Sequence, residues 1–180
     1  MKNIVTEKIN MLNSKSIISI DAETNGLWGQ PFSIAAVVYD AAGQETDRFV
    51  ARCPIEEDVN DWVSENVIPQ MEMIVQTHTN LKDMLADFFA FVKKYNTTIV
   101  LCHMGHIVEA NLLKIAHDMG IIGDFEAPYL WYDVCLFFDD STDTYCKENG
   151  IIIDDVEGGT HNPLYDCMSA YKAFKHFVQS

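Results

Sequence analysis

The stretch Ile17-Ile18-Ser19-Ile20-Asp21-Ala22-Glu23-Thr24-Asn25-Gly26 decides how the chain is read. Ile17–Ile20 reads as a buried strand. It ends in two carboxylates, and then the chain turns. Residues two apart in a strand point to the same side, so Asp21 and Glu23 aim together at the place where the strand stops. Two adjacent carboxylates with no Lys or Arg beside them repel each other, and a cation between them relieves the cost. Hard oxygen ligands of this kind suit magnesium or manganese. The same residues also suit an ordinary strand end whose acids are solvated and cap a turn. The rest of the chain decides between the two.

Outward from this stretch, Gly26, Gly29 and Pro31 punctuate a turn. Phe32–Tyr39 reads as a second strand, Ala41-Ala42-Gly43 as a turn and Glu45–Cys53 as a third strand. Short connections make these three an antiparallel meander. Pro54–Glu65 is acidic, with a helix expected from about Asp58. Asn80 caps the next helix, whose stripe Leu81, Met84, Leu85, Phe88, Phe89 and Val92 has the spacing of one buried face. Thr98–His103 is a fourth strand. A helix follows from near His106 to about Asp118, stopped by Gly120.

Leu130–Val134 is a fifth, short strand, and an acidic segment after it holds a short helix around Thr142–Glu148. Gly158-Gly159 marks a mobile loop. Asn162 caps the last helix, with Pro163 at its first position and a buried stripe of Leu164, Cys167, Met168, Tyr171, Phe174 and Val178. Residues 1–15 are polar and suit a peripheral helix or turn. The order β-β-β, then α-β-α-β-α, predicts an α/β fold with a mixed five-stranded sheet flanked by helices.

The 180 residues fit one domain, 1–180, with a core at about 16–178 and no repeat or linker. Apolar residues make up 48%, which excludes disorder. No stretch has the length of a membrane span, and the N-terminus lacks the apolar core of a signal peptide, so no membrane partner is expected. Cysteines 53, 102, 135, 146 and 167 are scattered and form no C-x-x-C pair. That argues against a disulfide framework or structural zinc, and for a reducing, cytoplasmic setting. The net charge of −15 opposes broad attraction to nucleic acid or to an anionic membrane. Acids that ligate metals remain compatible with a nuclease. The charge then predicts weak non-specific binding and short or single-stranded substrates.

Two further places supply acids. In the helix after strand four, Glu109 and Asp118 are nine positions apart and lie on opposite faces. Glu109 sits in the first turn, among Val108, Leu112 and Leu113, at the edge of the core. Asp118 is at the solvated far end. Glu109 also suits a plain favourable charge at a helix N-terminus. In His161-Asn162-Pro163-Leu164-Tyr165-Asp166, the histidine precedes the cap and the aspartate lies in the first turn. A glycine-rich loop that delivers a histidine beside a fixed carboxylate suits a general base acting with substrate bound. The plainer alternative is an exposed loop histidine and an acid that complements the helix dipole.

Together, Asp21-x-Glu23, an acid early in the helix after strand four, and His161-x4-Asp166 resemble the DEDDh family. These are 3′-5′ exonucleases of the DnaQ-like, RNase H-like superfamily. Asp21-Ala-Glu-Thr-Asn-Gly-Leu27 is close to the family's D-x-E-T-x-G-L opening, and Tyr132-Asp133 resembles its short strand with a structural aspartate. The resemblance spans roughly residues 16–178. It departs at the second motif, where the family has Asp and this chain has Glu109, and four residues earlier, where Gly105 replaces a frequent Asn. A glutamate is one methylene longer. It reaches a metal directly or through water, or leaves the second site weak.

The resemblance implies an RNase H-like fold and two divalent cations, Mg²⁺ or Mn²⁺, roughly 3.5–4 Å apart. Asp21 would ligate both, Glu23 and Asp166 one, and Glu109 the other. His161 would take the proton of the attacking water. The products would be nucleoside 5′-monophosphates from the 3′ end of single-stranded RNA or DNA. Thr24, Asn25, Gly26 and Leu27 would lie beside the terminal nucleotide, and Leu27 and Trp28 would wedge or stack against bases. His106 would touch phosphate. For Trp28 a packing role, and for His106 an ordinary helix-end role, are equally good readings. His78, His117 and His176 stand in unremarkable contexts.

Three alternatives keep the same residues. One is a catalytically impaired RNase H-like module that binds nucleic-acid ends or a protein partner. Another is a small-molecule phosphohydrolase. The third is a proofreading subunit, against which stands the short run of 14 residues after Asp166. The sequence is silent on oligomeric state, for which a homodimer is the commonest assembly.

Overall fold

The computed structural model describes residues 15–95, 99–105, 107–127, 131–138, 140–153, 156 and 158–179. His106 and the polar segment 1–14, both assigned roles from the sequence, lie outside the described residues.

The expected meander forms from β1 (Ile17–Thr24), β2 (Pro31–Tyr39) and β3 (Glu45–Arg52). These pair antiparallel. Then come α1 (Asp61–Asn66), α2 (Leu81–Lys93), β4 (Ile99–Cys102), α3 (Val108–Asp118), β5 (Trp131–Asp133), α4 (Thr142–Glu148) and α5 (Pro163–Gln179). The sheet order is β3-β2-β1-β4-β5, with β4 parallel to β1 and β5 parallel to β4. This is the mixed five-stranded α/β sheet that the element order predicts. Among the described residues, no helix is long and apolar enough to cross a membrane.

Alternation along the central strands feeds two cores. Ile18, Ile20, Ile34, Ala36 and Val38 point to the face covered by α2 and α3, where they join Met84, Leu85, Phe88, Leu112 and Ala116. Ile17, Ala35, Val37, Ile99 and Leu101 point to the other face, under Cys167, Met168, Ala170, Tyr171 and Phe174 of α5. By the period of two, Asp21 and Glu23 belong to the α5 face.

Several boundaries differ from expectation, each for a local reason. Helix α1 starts at Asp61 and not at about Asp58, because the Asn60 side chain accepts from the N–H groups of Trp62 and Val63 and so caps it. A 3₁₀ turn at Ile68–Met71, with Pro69 in its first turn, was not foreseen. The chain after β5 turns into a second 3₁₀ segment at Val134–Phe137, because the Asp133 side chain accepts from Cys135 N–H.

Two features of the sheet make the site. Strand β1 pairs with β4 only from Ile17↔Ile99 to Ser19↔Leu101, whereas it pairs with β2 up to Thr24. Its last residues therefore have a strand on one side only, and α3 begins in the space on the other. The loop after β4 is held by Asp133, which accepts from Met104 N–H at 2.9 Å and Gly105 N–H at 3.0 Å as well as from Cys135 N–H at 3.0 Å. Burial alone would raise the pKa of Asp133, but these bonds hold its carboxylate below the usual range. The aspartate read as structural is thus a clasp across the ends of β4 and β5. Asp133→Ala leaves three N–H groups without their acceptor, and we expect a loss of about 2–3 kcal/mol of unfolding free energy in urea titration. A change below about 0.5 kcal/mol would show that the clasp does not hold the loop.

Candidate functional site

Asp21, Glu23 and Asp166 each place a carboxylate oxygen so that all three lie within 4.8 Å of one another, and their side chains are half-buried. Two come from β1 and one from the first turn of α5, which Asn162 caps by accepting from Leu164 N–H at 3.0 Å. Asp166 is oriented by the backbone of His161, whose N–H donates to Oδ2 at 2.9 Å. To make that bond His161 takes a left-handed backbone, φ 67°. For a residue with a Cβ this conformation carries strain of about 1–3 kcal/mol.

The fourth acid arrives from the opposite face of the sheet. Glu109 on α3 is 2% exposed. Its carboxylate accepts from the N–H of Ala22, on the side of β1 that β4 leaves open, and from its own N–H. The other oxygen, Oε2, is buried without a partner among the described residues. Gly105 makes room for it: a Cβ there would stand 3.2 Å from Oε2 and only 2.3 Å from Cys102 Sγ. Positions 105 and 109 are therefore linked in space. A longer acid at 109 and a residue without a side chain at 105 fill the same space.

Burial and crowding dominate the electrostatics. The Asp21 carboxyl is pushed far above the usual range by burial, then by Asp166, Glu23 and Glu109. Glu23 is pushed up by burial, Asp166 and Glu109. Asp166 is raised to about 7, mainly by burial, against the bond from His161 N–H. Glu109 is raised to about 8, again mainly by burial, against the Ala22 and Glu109 N–H groups. Among the described residues no Lys or Arg forms an ion pair with any of the four. Acids gathered in this way fit a divalent cation, which supplies the missing positive charge. Asp21, Glu23 and Asp166 have the oxygens to hold one, and Glu109 offers its orphaned oxygen.

The other predicted residues separate into two groups. Leu27 and Trp28 are open, at 58% and 73% exposure. Thr24 and Asn25 are buried. The Asn25 side chain is fully engaged: it donates to Glu57 Oε1 and Asp58 C=O, both at 2.9 Å, and accepts from Asn60 N–H at 2.8 Å. What it offers a ligand is its backbone and the shape of the turn, in which Gly26 takes φ 81°. His78, His117 and His176 bond to Asp87, Asp124 and Tyr145, in places removed from the acids.

Two contacts were not foreseen. Trp62 on α1, 55% exposed, meets the His161 ring edge-on at 5.4 Å. Asn111 on α3 donates to the Trp28 carbonyl at 3.3 Å. A signal for Trp62 did exist: a tryptophan inside Asp58-Val59-Asn60-Asp61-Trp62 has few apolar neighbours to bury it.

No protein-family model matches the chain, and no curated protein sequence does. Solved structures do. A product-bound exonuclease I superposes with TM-score 0.62 at 14% identity, over 92% of this chain and 43% of that one. The zinc-bound form of an E. coli exonuclease I–ssDNA complex gives 0.60 at 14%, over 88% and 39%. Exonuclease X in complex with 5′ overhanging duplex DNA gives 0.58 at 14%, over 91% of each chain. The chain thus spans less than half the length of exonuclease I and most of exonuclease X. At these identities the likeness is one of fold, the RNase H-like sheet with its helices.

The raised pKa values carry a sign. A metal-free native state holds its protons to higher pH than the unfolded chain does, so stability falls as pH climbs from the ordinary carboxylate range through about 8. We expect the thermal midpoint of the metal-free protein to drop between about pH 5 and pH 9, and Mn²⁺ to restore more of it at the upper end. Glu109→Gln should flatten part of the slope. A metal-free midpoint that is level or rises over this range contradicts the crowding.

Proposed function

We propose that this protein is a metal-dependent 3′-5′ exonuclease that releases nucleoside 5′-monophosphates from the 3′ end of single-stranded RNA or DNA. The observation that carries the reading is the meeting of Asp21, Glu23 and Asp166 within 4.8 Å, beside His161, at one end of the sheet. The likeness of fold to exonuclease I and exonuclease X supports it.

Asp21, Glu23 and Asp166 would hold one divalent cation, Mg²⁺ or Mn²⁺, and Asp21 with Glu109 a second. Cations bound there would supply Lewis-acid polarisation of the phosphodiester and would lower the pKa of a water. His161 then accepts the proton of that water. Burial holds its pKa below normal, so the ring is a neutral base at physiological pH. The T-shaped contact with Trp62 limits how far the ring swings. Leu27 and Trp28 stand at the rim to receive the terminal base, and the backbone at Gly26 lets the nucleotide approach. The chain would act as one exonuclease unit over residues 1–180. Its five free cysteines suit a cytoplasmic setting.

One observation favours a second reading. The oxygens that gather within 4.8 Å are those of Asp21, Glu23 and Asp166, and Glu109 stands outside that group, which leaves a second cation with fewer ligands. A protein with one weak metal site, no turnover and retained oligonucleotide binding would be an impaired module that binds ends.

Asp21→Ala and Asp166→Ala should each abolish Mg²⁺- or Mn²⁺-dependent release of mononucleotides from a 5′-labelled single strand, and excess EDTA should abolish it in the wild type. Activity that survives EDTA would falsify the metal mechanism. For the base, His161→Asn is the better probe, because asparagine tolerates the left-handed backbone. It should lower kcat about 10²–10⁴-fold with little change in KM. If KM rises and kcat stays, His161 binds substrate and another group takes the proton.

A further inference from the structure

The described parts of the loops that frame the carboxylates are 24–30, 53–60, 103–105 and 107, 134–138, 140–141, 149–153, 156 and 158–162. They follow β1, β3, β4 and β5 and lead into α5, so the topology gathers them at one end of the sheet. None of them contains a Lys or an Arg. Arg52, next to one of them, turns its guanidinium to the carbonyl of Met71 at 2.7 Å. Lys114 pairs with Asp118 and Lys147 with Asp143, while Lys172 donates to the Ile152 carbonyl. Glu56, Glu57, Asp58 and Asp140 in the same loops add negative charge.

A nucleic acid that threads across such a surface meets no protein cations to replace its counterions, so added length brings no counterion release and adds nothing to its binding. What the rim does offer is aromatic. Trp28 and Trp62 are 73% and 55% exposed, and both are fixed at their base. The Trp28 carbonyl accepts from Asn111, and Asn60 caps the helix that carries Trp62. Stacking on such faces tolerates any base and needs no charge.

Resting on the exonuclease reading above, we infer that the substrate is a short single strand of a few nucleotides, held by stacking on Trp28 and Trp62. Cations held by the carboxylates serve the terminal phosphodiester. Among the described residues, upstream phosphates meet no positive side chain. Binding therefore depends little on salt or on length beyond the stacked bases.

The test compares a 5-mer and a 20-mer, as RNA and as DNA, at saturating Mn²⁺ with KCl varied. Hydrolysis is one readout, and fluorescence anisotropy of strands blocked by a 3′-terminal phosphorothioate is the other. We expect the two lengths to agree within about threefold, and log affinity to fall with log salt at a slope shallower than about −1. Trp28→Ala and Trp62→Ala should each weaken binding about tenfold, with Trp→Phe at the same positions recovering most of it. Both residues are largely exposed, so the variants should keep the wild-type thermal midpoint. A 20-mer preferred tenfold or more with a steep salt slope, or alanine variants that bind as the wild type does, overturns the inference and leaves the exonuclease reading standing. Salt-insensitive binding that needs both tryptophans, without hydrolysis at any length, supports the inference and overturns the exonuclease reading.

Discussion

The burial of four converging carboxylates is the constraint on which this molecule turns. Asp21, Glu23, Asp166 and Glu109 converge on one end of the sheet. Each is pushed toward its protonated form by burial, and Asp21 and Glu23 by their neighbours as well. Acids in such a cluster cost stability unless something positive joins them. The protein meets the cost partly with backbone dipoles: the His161 N–H reaches Asp166, and the Ala22 N–H reaches Glu109. Both bonds come from chain segments in special positions. One is a left-handed residue ahead of a helix. The other is a strand that outruns its parallel neighbour.

That overrun explains why the site can draw on both faces of the sheet. Asp21 and Glu23 point to the α5 face by simple alternation, whereas Glu109 belongs to a helix packed on the other side. Because β1 continues past its last pairing with β4 at Ser19↔Leu101, the edge of its end is open. A side chain from α3 passes through that opening to the Ala22 N–H. Asp133 keeps the way clear by folding the loop after β4 back on itself.

Much of this could be read from the residues. The period of two set Asp21 beside Glu23, and the Asn-Pro start of the last helix set Asp166 at its first turn. The stripes of α2 and α5 separated core from surface. Other features depend on partners far away in the chain. The bonds of Asn25 run to residues 32 to 35 positions on, and no local pattern announces them. Helix α1 has six residues, too few for a periodicity to show which side Trp62 presents. The shared space of Gly105 and Glu109 is likewise a matter of packing, which no sequence pattern announces.

The bonds of Asn25 have one more consequence. The segments that carry Trp28 and Trp62 are distant in sequence, yet Asn25 and Gln30 tie the first to residues 54–60, directly ahead of the second. The two tryptophans are therefore mounted on one frame, and as the proposed stacking faces they would form a preset jaw, ordered when the chain folds. A flexible strand entering it has only its own freedom to lose. An association with so few charges to drive it thus begins with the protein's share of the ordering already complete.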